Sequence, residues 1–397
     1  MKHGWEIKKL GEVCQTGAVG TPLKSKKEYY EGGTIPWLLS GEVSQGEICS
    51  TTNFISKKGL DNSSAKIFPV NTVLVAMYGA TAGQVGILRF EAATNQAVCG
   101  ILPTKRFLPK FLFYFFLSIK DELVSQAAGN AQPNISQLKI KNTDVPIPPI
   151  PGQERIVAIL DEAFEGIATA KANAEKNLKN APQLFESHLN SVFSQRGDGW
   201  VENKFGSICG FVRGPFGGSL KKSIFVEQGF AVYEQQHAIY DQFDDVRYFI
   251  DEIKFKEMRR FELLSNDLIM SCSGTMGRVA IVPEGIKRGI INQALLKLTP
   301  TDKVLGAFLK FWMESQVFQD ALKEYAGGAA IQNVASVKIL KEIKVFLPSI
   351  KEQEHILNGL KVIQAETERL ESIYQKKIEA LNALKKSILQ KAFAGEL

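Results

Sequence analysis

The chain has 397 residues, of which 48 are Lys or Arg and 42 are Asp or Glu, for a formal charge of +6; 45% are hydrophobic and 23% charged. That balance excludes a disordered chain, which needs fewer apolar residues and more net charge, and at roughly 100–200 residues per domain the length calls for two to four domains. It also excludes a membrane span: the longest aromatic run, 111–119, is bracketed by Lys110 and Lys120, whereas a bilayer needs about 20 apolar residues. Lys2, His3 and Glu6 precede any apolar stretch, so a cytoplasmic location is expected. The five cysteines are odd in number and form no C-x-x-C pair; they read as free thiols, with no zinc knuckle or disulfide framework. The modest positive charge suits nucleic acid and leaves an acidic protein or a nucleotide open.

In chain order, residues 1–148 are rich in Gly, Thr, aromatic and β-branched residues, with short runs such as 72–77 and 97–102. They read as short strands and loops with one helix over 110–125. Over 149–196 the texture turns to Ala, Glu, Lys, Asn and Leu, a long helix that ends in the linker Arg196-Gly197-Asp198-Gly199. The sequence then repeats itself. Gly4-Trp5 through Gly11 to Cys14 recurs as Gly199-Trp200 through Gly206 to Cys209, 195 residues on; Asn71 and Gly79-Ala-Thr-Ala-Gly83 answer Asn266 and Gly274-Thr-Met-Gly277; Asn95-Gln96-Ala97 answers Asn292-Gln293-Ala294; and Pro149 to Gln153-Glu154 answers Pro348 to Gln353-Glu354. A period near 200 residues is far beyond solenoid units, so a whole domain with its connector is duplicated. The expected layout is a first domain over 1–148, a long helix over 149–196, a second domain over 197–348 and a second long helix over 349–397.

The first helix carries a seam at Leu160, Ala163, Ile167, Ala170, Ala174, Asn177, Ala181, Leu184 and His188. The second carries Leu360, Ile363, Thr367, Leu370, Tyr374, Lys377, Leu381, Leu384 and Ile388, each 200 residues after its counterpart. Steps of four and three make a heptad stripe, so the two helices are expected to pair, with Leu160, Ile167, Leu360, Ile363, Leu370, Leu381 and Leu384 at the seam. Pro182 should interrupt or kink the first helix. A helix of about 40 residues reaches roughly 60 Å. If the pair is antiparallel, the fold is pseudo-twofold and resembles dimeric readers of split DNA sites.

The run Gly20-Thr21-Pro22, Tyr29-Tyr30, Gly32-Gly33, Ile35-Pro36-Trp37 and Ser40-Gly41-Glu42 resembles the opening of a target recognition domain of type I restriction–modification specificity subunits. Gly214-Pro215-Phe216-Gly217-Gly218-Ser219-Leu220-Lys221 with Tyr233-Glu234-Gln235-Gln236-His237 resembles another variety of that domain. The glycine loops, the Asn-Gln pairs and the Gln-Glu entry to each helix are similar to the same family, and the resemblance covers essentially the whole chain. It implies an α+β fold with two tandem mixed α/β target recognition domains separated by two long helices in an antiparallel coiled coil. It further implies a non-catalytic subunit that reads a bipartite, asymmetric sequence in double-stranded DNA, docks two adenine methyltransferase subunits and joins restriction or translocase subunits. Cofactors would be none in this chain, with methyl donor and ATP on the partners.

The residues agree with a lack of catalytic machinery. No Gly-Lys dipeptide exists for a Walker A loop. The one Pro-Pro, Pro148-Pro149, lies between isoleucines rather than in the Asn/Asp-Pro-Pro-aromatic element of an adenine methyltransferase, and the four histidines show no ligand spacing. Glu-x-Lys triplets such as Glu252-Ile253-Lys254 read as solvated surface. A standalone DNA-modifying enzyme and a coiled-coil scaffold with paired binding domains stay as alternatives.

DNA reading needs Lys and Arg for phosphates and polar side chains for base edges. The candidates are Lys24, Lys26 and Lys27 for phosphate in the first domain, with Tyr78, Thr81 and Gln84 for bases. In the second domain they are Arg213, Lys221 and Lys222 for phosphate, with Glu234, Gln235, Gln236, His237, Thr275 and Arg278 for bases. Trp37 reads as core, and Asn95-Gln96 and Asn292-Gln293 can equally brace their loops.

Overall fold

The structure, a computed structural model, describes residues 5–125, 134–325 and 336–397; His3 and Gly4, named above, lie outside them. The chain divides into two compact units, one made of Met1–Glu175 with Gln375–Leu397 and the other of Lys176–Tyr374.

The first unit has a five-stranded sheet in the order Thr16–Ala18, Val98–Ile101, Val73–Ala76, Val85–Leu88, Glu47–Ile48. Its neighbours are antiparallel except the last pair, Glu47–Ile48 with Val85–Leu88. A second sheet runs Phe54–Ile55, Ile35–Leu38, Ala92–Thr94, Ile67–Phe68, and Glu6–Lys9 pairs with Asp144–Ile147. Val73 to Ala76 and Val85 to Leu88 are buried at every position, as expected of central strands covered on both faces. The second unit repeats this plan: Cys209–Arg213, Leu295–Pro300, Leu268–Ser271, Val279–Ile281 form one sheet, Phe249–Ile250, Phe230–Tyr233, Gly289–Ile291 another, and Val201–Lys204 pairs with Lys344–Leu347. The repeat extends to backbone strain. Asn71 and Asn266 enter their central strands at φ 69° and 68°, and Gly79 and Gly274 turn at 69° and 64°, left-handed values that favour Gly and Asn.

The long helices span Ile150–Gln195 and Ile350–Ala394. Within the first unit the start of one packs on the end of the other: Leu160 shares a core with Leu389 and Ala392, Lys171 Nζ donates to Asn382 Oδ1 at 3.1 Å, and Lys385 lies 4.8 Å over the Phe164 ring. In the second unit Leu189 and Phe193 share a core with Leu357 and Leu360. In the first unit the partner residue number falls as the other rises, so the helix segments run antiparallel there. The aromatic helix that precedes each pair fills the junction. Phe111 and Phe115, on Pro109–Ser118, meet Phe393 at 5.3 and 5.5 Å; Phe308, on Gly306–Glu314, meets Phe193 at 5.2 Å. The single helix expected over 110–125 is two, Pro109–Ser118 and Lys120–Ser125, broken at Ile119.

Two expectations about the helices need correction. Of the interruption or kink expected at Pro182, the interruption is absent: the helix is continuous from Ile150 to Gln195. The stripe is also not a strict heptad over its whole length. It holds through Leu160, Ile167 and Ala174 and again at the buried Ala181, but Leu178, Phe185 and Leu189 turn inward while Asn177, Leu184 and His188 are exposed. The second helix slips at the same point, with Ile378 inward, Lys377 exposed and Leu384 48% exposed, so Leu384 is not a seam residue. Leu360 is fully buried, and Ile363, Leu370 and Leu381 are half-buried. An α-helix has 3.6 residues per turn, and a stripe that does not supercoil fully drifts about 20° per heptad away from a 3.5 repeat.

Cys14, Cys99, Cys209 and Cys272 are buried and Cys49 is exposed, all free. Burial pushes Cys14 and Cys272 up to about 11 and Cys99 and Cys209 up to about 12, which leaves these four almost wholly as unreactive thiols near neutrality. A thiol-exchange reagent at pH 8 is therefore expected to react rapidly with one equivalent in the native chain and with five in denaturant. Fast reaction of two or more native thiols would contradict the burial described.

Candidate nucleic-acid interface

Among the described residues no His, Cys, Asp and Glu cluster could hold a metal ion, and no helix is long and apolar enough to cross a membrane. What both units do present is a polar, basic edge beside glycine loops.

In the first unit the strand Thr16–Ala18 leads into Gly20-Thr21-Pro22. A Cβ at Gly20 would lie 2.8 Å from Ser64 Cβ, and Thr21 Oγ1 accepts from the Gln96 amide at 3.1 Å. The chain then emerges as the exposed residues 23–28. Lys26 Nζ donates to Tyr29 Oη at 3.2 Å, while no ion pair engages Lys24 or Lys27 among the described residues. The loop Gly79–Thr81 is a tight 3₁₀ turn in which Thr81 Oγ1 donates to the Tyr78 carbonyl at 3.2 Å and the Gln84 amide to the Thr81 carbonyl at 3.0 Å. Tyr78 is 37% exposed, so its ring and the half-exposed Gln84 side chain are available at the surface. Asn95 Oδ1 accepts from the Ala97 amide at 3.2 Å and Asn292 Oδ1 from the Ala294 amide at 3.0 Å; both asparagines brace their turns. Glu42 is likewise a brace, accepting from the Leu39 amide at 2.9 Å and Thr51 Oγ1 at 2.7 Å. Trp37 is buried.

In the second unit the polar run 234–237 divides. Gln235–Tyr240 is a short helix capped by Glu234, and the Glu234 carboxylate pairs with Arg247 at 3.0 Å. His237 is 1% exposed; Nδ1 accepts from the Glu234 amide at 2.8 Å, which leaves Nε2 to donate to the Asp245 carbonyl at 3.0 Å. Gln236 Nε2 donates to the same carbonyl at 3.2 Å. Glu234, Gln236 and His237 thus help to hold residues 241–247 against the helix; the buried His237, with both ring nitrogens occupied, does not face the base edge expected of it, whereas Glu234 and Gln236 stay half-exposed. A buried imidazole must satisfy both nitrogens internally. Gln235 differs: it reaches across to the glycine loop, donating to the Thr275 carbonyl at 3.3 Å and accepting from Ser273 Oγ at 3.1 Å. It fixes the loop that carries the exposed Thr275 and Arg278.

Thr275 and Arg278 border a cleft of about 670 Å³ that also has Asp241, Lys310 and Glu314 on its wall. This cleft carries both signs of charge. Desolvation raises the Glu314 carboxyl above its ordinary range, against the pull of Lys310, with Asp241 adding to the rise and Arg278 opposing it. A second cleft, of about 710 Å³, is lined by Arg213, Phe216, Lys254, Arg260 and Gln293. Its one carboxylate, Glu257, is paired with Lys254 at 3.0 Å, so its surplus charge is positive. Arg260, which is not among the candidates drawn from the sequence, is a neighbour of Arg213 in this cleft. The two are 47 residues apart in sequence, and only the fold joins them.

The chain matches the model of the type I restriction modification DNA specificity domain twice, over residues 2–180 and 198–380. It is 24% identical over its full length to 90% of the type I restriction enzyme EcoKI specificity subunit of Escherichia coli K12. It is 28% identical over 48% of each chain to the EcoR124I/EcoR124II specificity subunit of Escherichia coli. Among solved structures, the HsdS subunit from Thermoanaerobacter tengcongensis superposes with a TM-score of 0.70 at 21% identity, covering 100% of this chain and 98% of that one. A chain from a study of assembly and conformational transition in the type I R-M system gives 0.78 at 21% identity, covering 100% and 99%. With two copies of the domain model accounting for most of its length and two units of one plan, each carrying segments of both long helices, the chain belongs to the family of type I restriction–modification DNA specificity subunits.

Proposed function

We propose that this chain reads DNA for a type I restriction–modification complex without chemistry of its own. Each unit contacts one half of a split, asymmetric sequence in double-stranded DNA, and the long helices dock two adenine methyltransferase subunits, with restriction or translocase subunits joining that core. Methyl donor and ATP are bound by those partners. The observation that carries the reading is a basic segment that recurs just after the first strand of the large sheet in each unit. Lys24 and Lys27 in one, and Lys221 and Lys222 in the other, are exposed and without ion pairs among the described residues. Cations left unpaired beside polar loops suit a phosphate backbone, and Arg213 and Arg260 extend the same charge into the cleft of the second unit.

The test is the salt dependence of duplex binding by the chain assembled with its methyltransferase. Six to ten phosphate contacts predict a loss of roughly 10³–10⁵ in affinity between 50 and 200 mM salt; a scaffold for protein or glycan predicts almost none. Methylation or cleavage by the purified chain alone would instead favour a standalone enzyme. Within this reading Gln235→Ala, which frees the Ser273 to Thr275 loop, is expected to relax base preference in the half-site of the second unit alone, by less than the about 1–3 kcal/mol of a direct bidentate base contact. Binding measured against single-base variants of both half-sites checks it, and uniform weakening across all sequences would contradict the assignment.

A further inference from the structure

Both units end the first strand of the large sheet in the same unusual way. Pro22 and Pro215 are buried, and the next residue, Leu23 or Phe216, is thrown into solvent at 62% and 93% exposure. Phe216 is the most exposed large hydrophobic side chain among the described residues. Phe216 is also held in place. The Gly214 amide donates to the Leu295 carbonyl at 2.9 Å and the Ser219 amide to the Phe216 carbonyl at 2.8 Å. A Cβ at Gly214 would come within 1.8 Å of the Asn292 carbonyl oxygen, so the backbone there fits only glycine. The ring therefore projects from a braced loop rather than from a loose one.

Its surroundings select the partner. Phe216 shares its cleft with Arg213, Lys254 and Arg260, and the exposed Lys221 and Lys222 follow it in the chain. Lys221, Lys222 and Lys254 are of a type depleted from the centres of protein interfaces, where aromatic residues and arginine are enriched instead. A duplex, by contrast, offers phosphates to the cations and a base stack to the ring, and apolar side chains such as Phe and Leu are those that wedge between base steps. We propose that Phe216 inserts into the base stack of the duplex held by the second unit, and that Leu23, between Pro22 and Lys24, does the same for the first. This rests on the DNA-reading function proposed above and adds that recognition distorts the DNA at one step in each half-site.

The test uses the full chain with its methyltransferase on a duplex carrying the sequence that the complex methylates, with 2-aminopurine placed singly along each half-site at positions other than the methylated adenines. Binding is expected to raise fluorescence at one step per half. Phe216→Ala should abolish the rise in the second half only and weaken binding about tenfold or more with an unchanged salt slope; Phe216→Trp should retain both, and Leu23→Ala should act on the first half only. A Phe216→Ala complex that keeps the rise and the affinity would overturn the wedge, as would wild-type complex that unstacks no step. Loss of methyltransferase assembly with the rise intact would overturn it too, because the ring would then be covered by protein. If wild-type complex binds no split site, the DNA-reading function itself fails, which is distinct from a failure of the wedge alone.

Discussion

Leu360→Asp is expected to cost the second unit about 4 kcal/mol or more at neutral pH. Leu360 is fully buried, in one core with Leu189, Phe193, Leu357 and Phe308. The substitution loses the roughly 2–5 kcal/mol that a Leu to Ala truncation costs in a core, and adds a carboxylate that must either lose its hydration or take up a proton. The sign of the pH dependence follows. The folded-state pKa of the new Asp is raised above its unfolded value of about 3.9, so the deficit is smallest below that value and grows as pH rises through the folded pKa. Urea denaturation at pH 4 and pH 8, with Leu360→Asn as the uncharged comparison, checks it. A deficit independent of pH in the Asp variant, or one below 1 kcal/mol, would mean that the seam is not buried there. Leu370, half-buried, should show a smaller form of the same effect.

Gln153→Leu and Gln353→Leu form the second severe pair, each expected to cost about 2–4 kcal/mol. Both glutamines are fully buried at the head of a long helix. Gln153 Oε1 accepts from the Leu108 amide at 2.9 Å, and Nε2 donates to the Arg106 and Pro148 carbonyls at 2.8 and 3.0 Å. Gln353 makes the same three bonds, to the Leu305 amide at 2.9 Å and to the Lys303 and Pro348 carbonyls at 3.1 Å each. One amide in each unit thus joins the helix entry, the preceding loop and the start of the aromatic helix. Leucine fills the space but strands a buried N–H, at about 1–3 kcal/mol, together with two carbonyls. Gln353→Glu keeps the acceptor and replaces the donor with an oxygen facing two carbonyls, so it is tolerated only while protonated. Its folded pKa is raised, and its stability is expected to fall as pH rises above the unfolded value of about 4.3. Thermal melting across pH 4–8 reads both effects; a Gln353→Leu chain that melts with the wild type would contradict the network.

Much of this architecture was legible because duplication writes the same constraints twice. The glutamines stood out as Gln153-Glu154 and Gln353-Glu354, 200 residues apart, and the left-handed Asn71 and Asn266 and the Gly79 and Gly274 turns as matched landmarks. The helix stripe was legible in its first half, since a 3.5 and a 3.6 repeat coincide over two or three turns; they separate after Ala174 and Tyr374, where Leu178 and Ile378 take the inward place expected of Asn177 and Lys377. His237, in the polar run at 234–237, misled for a different reason. A residue type states what a side chain can bond and not where it points, and burial turned His237 inward onto the Asp245 carbonyl. Phe216 entered the sequence reading only as part of a motif; its Gly-Pro and Gly-Gly neighbours were the available sign of a projecting loop. The cleft that joins Arg213 to Arg260 depends on strand order in the sheets, which local pattern does not carry.

The most direct test of the DNA-reading function is to co-express the chain with its adenine methyltransferase and map methylated adenines on a randomised duplex library. The account predicts one split motif, two short specified halves around a fixed gap, with methylation absent when either protein is omitted. Methylation at a contiguous site, or by this chain alone, would contradict it.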